Sequence, residues 1–191
     1  MALPNPSMDA VPFTPLTAAF LDQMIANIEA LAAGTGQNTN SIQAGKLTNP
    51  YKFSVYRSAS VTKTTATQKV PFNTELFDTN NNFDSTTNFR YTVPVSGFYQ
   101  INAQVTIGSA GMGATEWGET QLYKNGASLV VSTRENGSGD ANKIPRPAIS
   151  TILQLSASDT LEVYSVSGGV YRDIVGGSGQ TYFSGFLVSS I

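Results

Sequence analysis

The run from Phe83 to Ile107, FDSTTNFRYTVPVSGFYQINAQVTI, constrains the fold of this chain more than any other stretch. From Tyr99 onward, Tyr99, Ile101, Ala103, Val105 and Ile107 alternate with Gln100, Asn102, Gln104 and Thr106. Side chains along a strand point to opposite faces in turn, so this period of two predicts one apolar face and one wet, amide-rich face. Upstream, Phe89, Tyr91 and Val93 alternate with Arg90 and Thr92 in the same way. Between the two runs, Pro94-Val95-Ser96-Gly97 breaks the ladder, because proline has no donor and glycine tolerates positive φ. Two strands joined by a turn follow, the second with one buried and one wet face, as antiparallel sandwiches require.

The remainder of the chain beyond Tyr51 continues in this style. Phe53 and Val55 alternate with Ser54 and Tyr56, and Val70, Phe72 and Leu76-Phe77 read as short strands around Pro71. Trp117 opens a strand that runs to Tyr123, and Lys124-Asn125-Gly126 closes it. Asn-Gly between strands is the strongest short hairpin signal, since both residues accept positive φ, and Leu129 to Val131 supply the return strand. Further strands fall at Ile149 to Leu155, Leu161 to Val166 and Tyr182 to Val188, with exposed loops predicted at 135–147 and 168–180. Short strands at this spacing predict an antiparallel two-sheet sandwich or jelly roll.

The first 50 residues have a different character. Residues 1–13 mix prolines with isolated apolar residues, Leu3, Pro4, Pro6, Met8, Val11 and Phe13, a pattern that suits an extended docking peptide. A helix is predicted next, with Thr14 as its cap, Pro15 in its first turn and Gly34 as its stop. Leu21, Met24, Ile25, Ile28, Leu31 and Ala32 share one stripe, and Asp22, Gln23, Asn27 and Glu29 lie opposite. Such a stripe needs cover from the sandwich, from copies of itself or from a partner, and the long polar tether that follows favours the last two. A polar tether at 34–50 then sets the division: anchor 1–33, linker 34–50, head 51–191.

Composition narrows the chemistry. Among 191 residues there is neither cysteine nor histidine, which removes disulfides, thiolate and zinc–thiolate sites and the Ser-His-Asp triad together. Charged residues are 13% and the net charge is −2, so no basic field exists for nucleic acid and no polybasic patch for a membrane. The opening MALPNPSMDAVPF lacks the basic and apolar regions of a secretory signal. A surface-type module made without an export signal suggests a virion component, assembled in the host cytoplasm and exposed on the particle.

In order along the chain, Phe83-Asp84, Phe89, Pro94, Gly97, Tyr99, then Leu122-Tyr123-Lys124-Asn125-Gly126, Ser158-Asp159-Thr160-Leu161 and Phe183-Ser184-Gly185-Phe186-Leu187 resemble the globular head of the complement-1q and tumour-necrosis-factor-like superfamily. The resemblance implies a jelly roll and a homotrimer, with Tyr99, Ile101, Ala103, Phe186 and Val188 at the trimer core. The words LPNP, VPF and NIEALAAGTG resemble a leader of bacteriophage structural proteins. Together these imply a non-enzymatic phage fibre or spike, anchored to other virion proteins by Leu3, Pro4, Pro6, Met8, Val11, Phe13, Leu21, Met24, Ile28 and Leu31. A decoration or joining protein, and a polysaccharide-processing enzyme of the tail, are the alternatives.

Candidate sites are few. Trp117, Tyr171 and Arg172 neighbour glycine-rich turns, where rings and a guanidinium suit contact with a host glycan or protein. Asp78, Asp84, Asp140, Asp159 and Asp173 match no calcium loop, so no metal and no cofactor are expected. Glu116, Glu119 and Glu135 are the carboxylates from which a glycosidase pair would be drawn, but no catalytic residue is assigned.

Overall fold

A computed structural model describes residues 17–32, 49–108, 112–140, 142–170 and 172–191. The chain divides into two units, Met1–Thr48 and Asn49–Ile191. In the first, helix α1 spans Ala18–Ala32. Thr17 caps it, its Oγ1 accepting from the Phe20 amide at 3.2 Å. The predicted cap and stop, Thr14, Pro15 and Gly34, lie outside the described residues, as do all the anchoring residues from Leu3 to Phe13 and the side chain of Leu31. Phe20, Leu21, Met24, Ile25 and Ile28 are all exposed along the helix.

Among its described residues the second unit holds eleven strands. These are β1 (Lys52–Tyr56), β2 (Thr67–Lys69), β3 (Thr74–Asp78), β4 (Phe83–Asp84), β5 (Arg90–Thr92), β6 (Gly97–Gln104), β7 (Trp117–Lys124), β8 (Ser128–Asn136), β9 (Ala148–Leu155), β10 (Thr160–Gly168) and β11 (Tyr182–Ser190). One sheet runs β3-β1-β11-β6-β9; the other runs β4-β5-β10-β7-β8, with β2 also on β10. Every pairing is antiparallel, as the predicted jelly-roll sandwich requires.

The alternation in β6 sets the core. Tyr99, Ile101 and Ala103 are buried, while Phe98, Gln100, Asn102 and Gln104 face outward. In the same sheet, Phe53 stacks on Tyr91 of the facing sheet at 4.1 Å between ring centroids and meets Phe183 edge-on at 4.9 Å. Tyr91 reaches Tyr99 across the sandwich at 6.4 Å. Clustered rings of this kind combine large apolar burial with favourable edge and offset contacts.

One local expectation changes. Phe89 is not a strand residue but stands in a turn with φ of 49°, and Phe83 supplies the buried ring there. The turn is held by Asp84, whose carboxylate accepts from the amides of Thr86, Thr87 and Asn88 at 2.9–3.0 Å. The β7–β8 hairpin forms as predicted, with Asn125 and Gly126 at φ of 56° and 69°.

Candidate functional site

Two surfaces of the head carry chemistry. The first is the outward face of β3-β1-β11-β6-β9. Strand register aligns Phe186 with Gln100 and Gln100 with Ile152, and sets Phe77 beside Ser54. Phe77, Phe98, Ile152, Phe186 and Val188 are therefore exposed on one face, Phe186 at 43% and Ile152 at 59%. Phe77, Phe186 and Val188 line an open groove of about 650 Å³ with Asn49, Lys52 and Ser54. The Asn49 amide donates to the Leu187 carbonyl and fixes the start of the head against β11.

A polar ladder crosses the same face. The Gln100 side-chain amide donates to Asn102 Oδ1 at 3.1 Å and to Ser150 Oγ at 3.2 Å, and Ser150 donates to Asn102 Oδ1 at 3.0 Å. The face thus pairs apolar side chains with polar groups already held in place.

Of the predicted trimer-core residues, only Phe186 and Val188 lie on this face. Tyr99, Ile101 and Ala103 are instead the core of a single protomer, because their parity in β6 points them between the sheets. Sequence reasoning missed Phe77, Phe98 and Ile152. The even positions of β6 carried the signal, since Phe98 begins the outward row that Gln100 continues.

The second surface is the sandwich end built by the loops after β1, β6, β8 and β10. Trp117 stands at the start of β7, opposite Gly168 of β10 and Asn136 of β8. Its ring lies over Gly168, where an added Cβ would come within 2.2 Å of indole atoms. The Arg134 guanidinium covers the ring at 3.7 Å from its centroid. The same guanidinium donates to Glu119 Oε2 through Nε at 3.1 Å and Nη2 at 2.9 Å. Burial pushes the Glu119 carboxyl up, but hydrogen bonds from Gln121, Ser132 and Arg134 outweigh it and hold the group below its ordinary range.

Arg172 is committed in the same manner. Its Nη2 donates to Glu116 Oε2 at 2.6 Å, and the Gly113 amide reaches the same oxygen at 2.8 Å. Arg172 first, then Gly113, hold the Glu116 carboxyl below its usual range. Tyr171, the third receptor candidate, lies outside the described residues. Glu135 accepts from the Arg146 amide at 3.0 Å, so each candidate glycosidase carboxylate already serves the protein's own groups.

The 168–180 segment is not the freely exposed loop that its glycines predict. Ile174 is fully buried and bridges to both Val61 and Ile107, and the Val175 amide donates to the Thr106 carbonyl at 2.9 Å. Gly176 packs so close to Ala59 that a Cβ would approach its carbonyl carbon to 2.4 Å. Lys63 is buried beside this end, and sequence reasoning missed it too. Its Nζ donates to the carbonyls of Ala66 and Ser165 at 3.0 and 3.1 Å and to Ser167 Oγ at 3.0 Å. Burial lowers its pKa to about 8. Among the described residues no group of three or more acidic side chains is placed to hold a metal ion. No helix there is long and apolar enough to cross a membrane.

Two packed antiparallel sheets in this strand order, with one apolar face turned out, define a jelly-roll head of the complement-1q and tumour-necrosis-factor-like class. A model of the C1q domain matches residues 52–188, and the chain belongs to the C1q domain family. The globular domain of zebrafish complement 1qA is similar in structure, with 21% identity, a TM-score of 0.56, and coverage of 74% of this chain and 99% of that one. Eiger TNF from S. frugiperda gives 11% identity, a TM-score of 0.55 and coverage of 74% and 94%. Murine APRIL gives 8%, 0.54, and 72% and 98%. No curated protein sequence matches the chain significantly. Trimers are typical of the family, and its domains are typically non-enzymatic modules that bind partners or build structure.

Proposed function

We propose that this chain is the protomer of a homotrimeric fibre or spike on a bacteriophage particle, with residues 1–33 toward the particle and the head toward the host. The observation that carries the proposal is the outward apolar face bearing Phe77, Phe98, Ile152, Phe186 and Val188, in a family whose heads are typically trimers. Exposed apolar side chains gathered on one sheet face of a small domain call for cover, and three such faces around a shared axis cover one another. The phage assignment rests on the resemblance of the leader words LPNP, VPF and NIEALAAGTG to virion structural proteins. Three linked heads also gain avidity for a repeated host surface without any new contact.

A second reading, a decoration or joining protein, draws on the loop end. There Arg134 and Arg172 are engaged by Glu119 and Glu116 of the same chain rather than turned to a ligand. Binding of the purified chain to susceptible cells separates the two. A fibre adheres, and Arg172→Ala weakens adhesion while the mass of the assembly stays constant; a chain that never adheres but still incorporates into particles is a joining protein. Deleting residues 1–13 is expected to abolish incorporation, and unchanged incorporation removes the anchor from this account of the leader.

A further inference from the structure

Helix α1 holds five large apolar side chains in water, and each of Phe20, Leu21, Met24, Ile25 and Ile28 is more than two-fifths exposed. Counted in sevens, Leu21 and Ile28 take position a and Met24 takes d, with Phe20 and Ile25 on the flanking g and e positions. Both acidic residues, Asp22 and Glu29, fall at b, and Gln23 and Ala26 fall at c and f. A seam along a and d therefore keeps every formal charge of the helix away from its axis. Like-charge repulsion does not oppose self-association. Phe20 at g and Ile25 at e widen the stripe beyond a and d, with Asn27 the polar residue at the other g, and three strands hide such a stripe more fully than two.

A helix of 15 residues is marginal alone in water. The trimeric head supplies what it lacks. Residues 33–48 can span at most about 55 Å, so three helices tethered to one trimer meet at an effective concentration on the order of millimolar. A lipid surface is a poor occupant, because the helix has no lysine or arginine to sit at anionic headgroups.

We propose that α1 packs against the α1 helices of the two other chains of the same trimer, forming a parallel three-helix bundle along Leu21, Met24 and Ile28. The inference rests on the trimer of the proposed function and refines it: Leu21, Met24 and Ile28 face sister chains, and contact with the particle falls to residues 1–13.

The chain has no cysteine, so a single introduced one reports on its own neighbours. Met24→Cys and Ile28→Cys place a thiol on the seam, and Ala26→Cys places one on the outer side. Each full-length variant is weighed by light scattering when reduced, then oxidised mildly and followed for interchain disulfides. The expected result is a trimeric mass for all three, with Met24→Cys and Ile28→Cys linking pairs of chains at least ten-fold faster than Ala26→Cys. A trimeric mass with equal rates at all three positions overturns the bundle and leaves the stripe for a different virion protein. A monomeric mass overturns the trimer itself, and the bundle with it.

Discussion

Among the described residues Lys63 sets its amine against neutral acceptors, the carbonyls of Ala66 and Ser165 and the hydroxyls of Ser165 and Ser167. Burial brings its pKa down from 10.5 to about 8, so native and unfolded chains hold different numbers of protons between those values. There the unfolded chain keeps a proton that the native state has released, and stability rises with pH. Chemical denaturation from pH 7 to 9.5 is expected to show the native chain gaining stability relative to Lys63→Met. Parallel curves for the two would mean that the amine is not desolvated. The range stops below 10 because Tyr164, raised to about 12 by burial first and the Glu162 carboxylate next, acts in the opposite sense. Nothing in SVTKTTATQ marked Lys63 as buried, since a lysine in a polar run carries no periodicity and all its acceptors but Ala66 come from β10, about a hundred residues on. Trp117 was legible as a strand start but not as a ring covered by Arg134, because that contact depends on β8 register.

At the scale of elements, β6 and the β7–β8 hairpin were legible for a local reason. Alternation and the Asn-Gly turn are written into consecutive residues. The 168–180 segment was not, because Ile174 is buried by partners from Val61 and Ile107, and Gly168 and Gly176 serve close approach to Trp117 and Ala59. Gly185 gives the same lesson within a strand. A Cβ there would stand 2.8 Å from Ile101 Cδ1 and 2.9 Å from the Gln100 carbonyl, so β11 can lie against β6 only with glycine at this point. Gly185→Ala is expected to cost about 1–3 kcal/mol in urea unfolding, the usual range for overpacking a core. A variant as stable as the parent would show that the two strands separate without strain.

For the whole molecule, the proposed trimer turns on which face of the five-stranded sheet is apolar. Resemblance pointed to the strand containing Tyr99, but the inward parity of that strand spends Tyr99, Ile101 and Ala103 on the protomer's own core. The outward set is drawn from β3, β6, β9 and β11, four strands far apart in sequence, so no single window of the chain displays it. Phe186 lies near the middle of that set, across from Gln100 in the sheet and in the groove with Phe77. The most direct measurement is the solution mass of the full chain beside its Phe186→Asp variant at equal concentration. A parent at about three times 20.3 kDa and a folded variant that falls to 20.3 kDa are expected. A parent that is itself monomeric, or a variant that stays trimeric, would contradict assembly through this face.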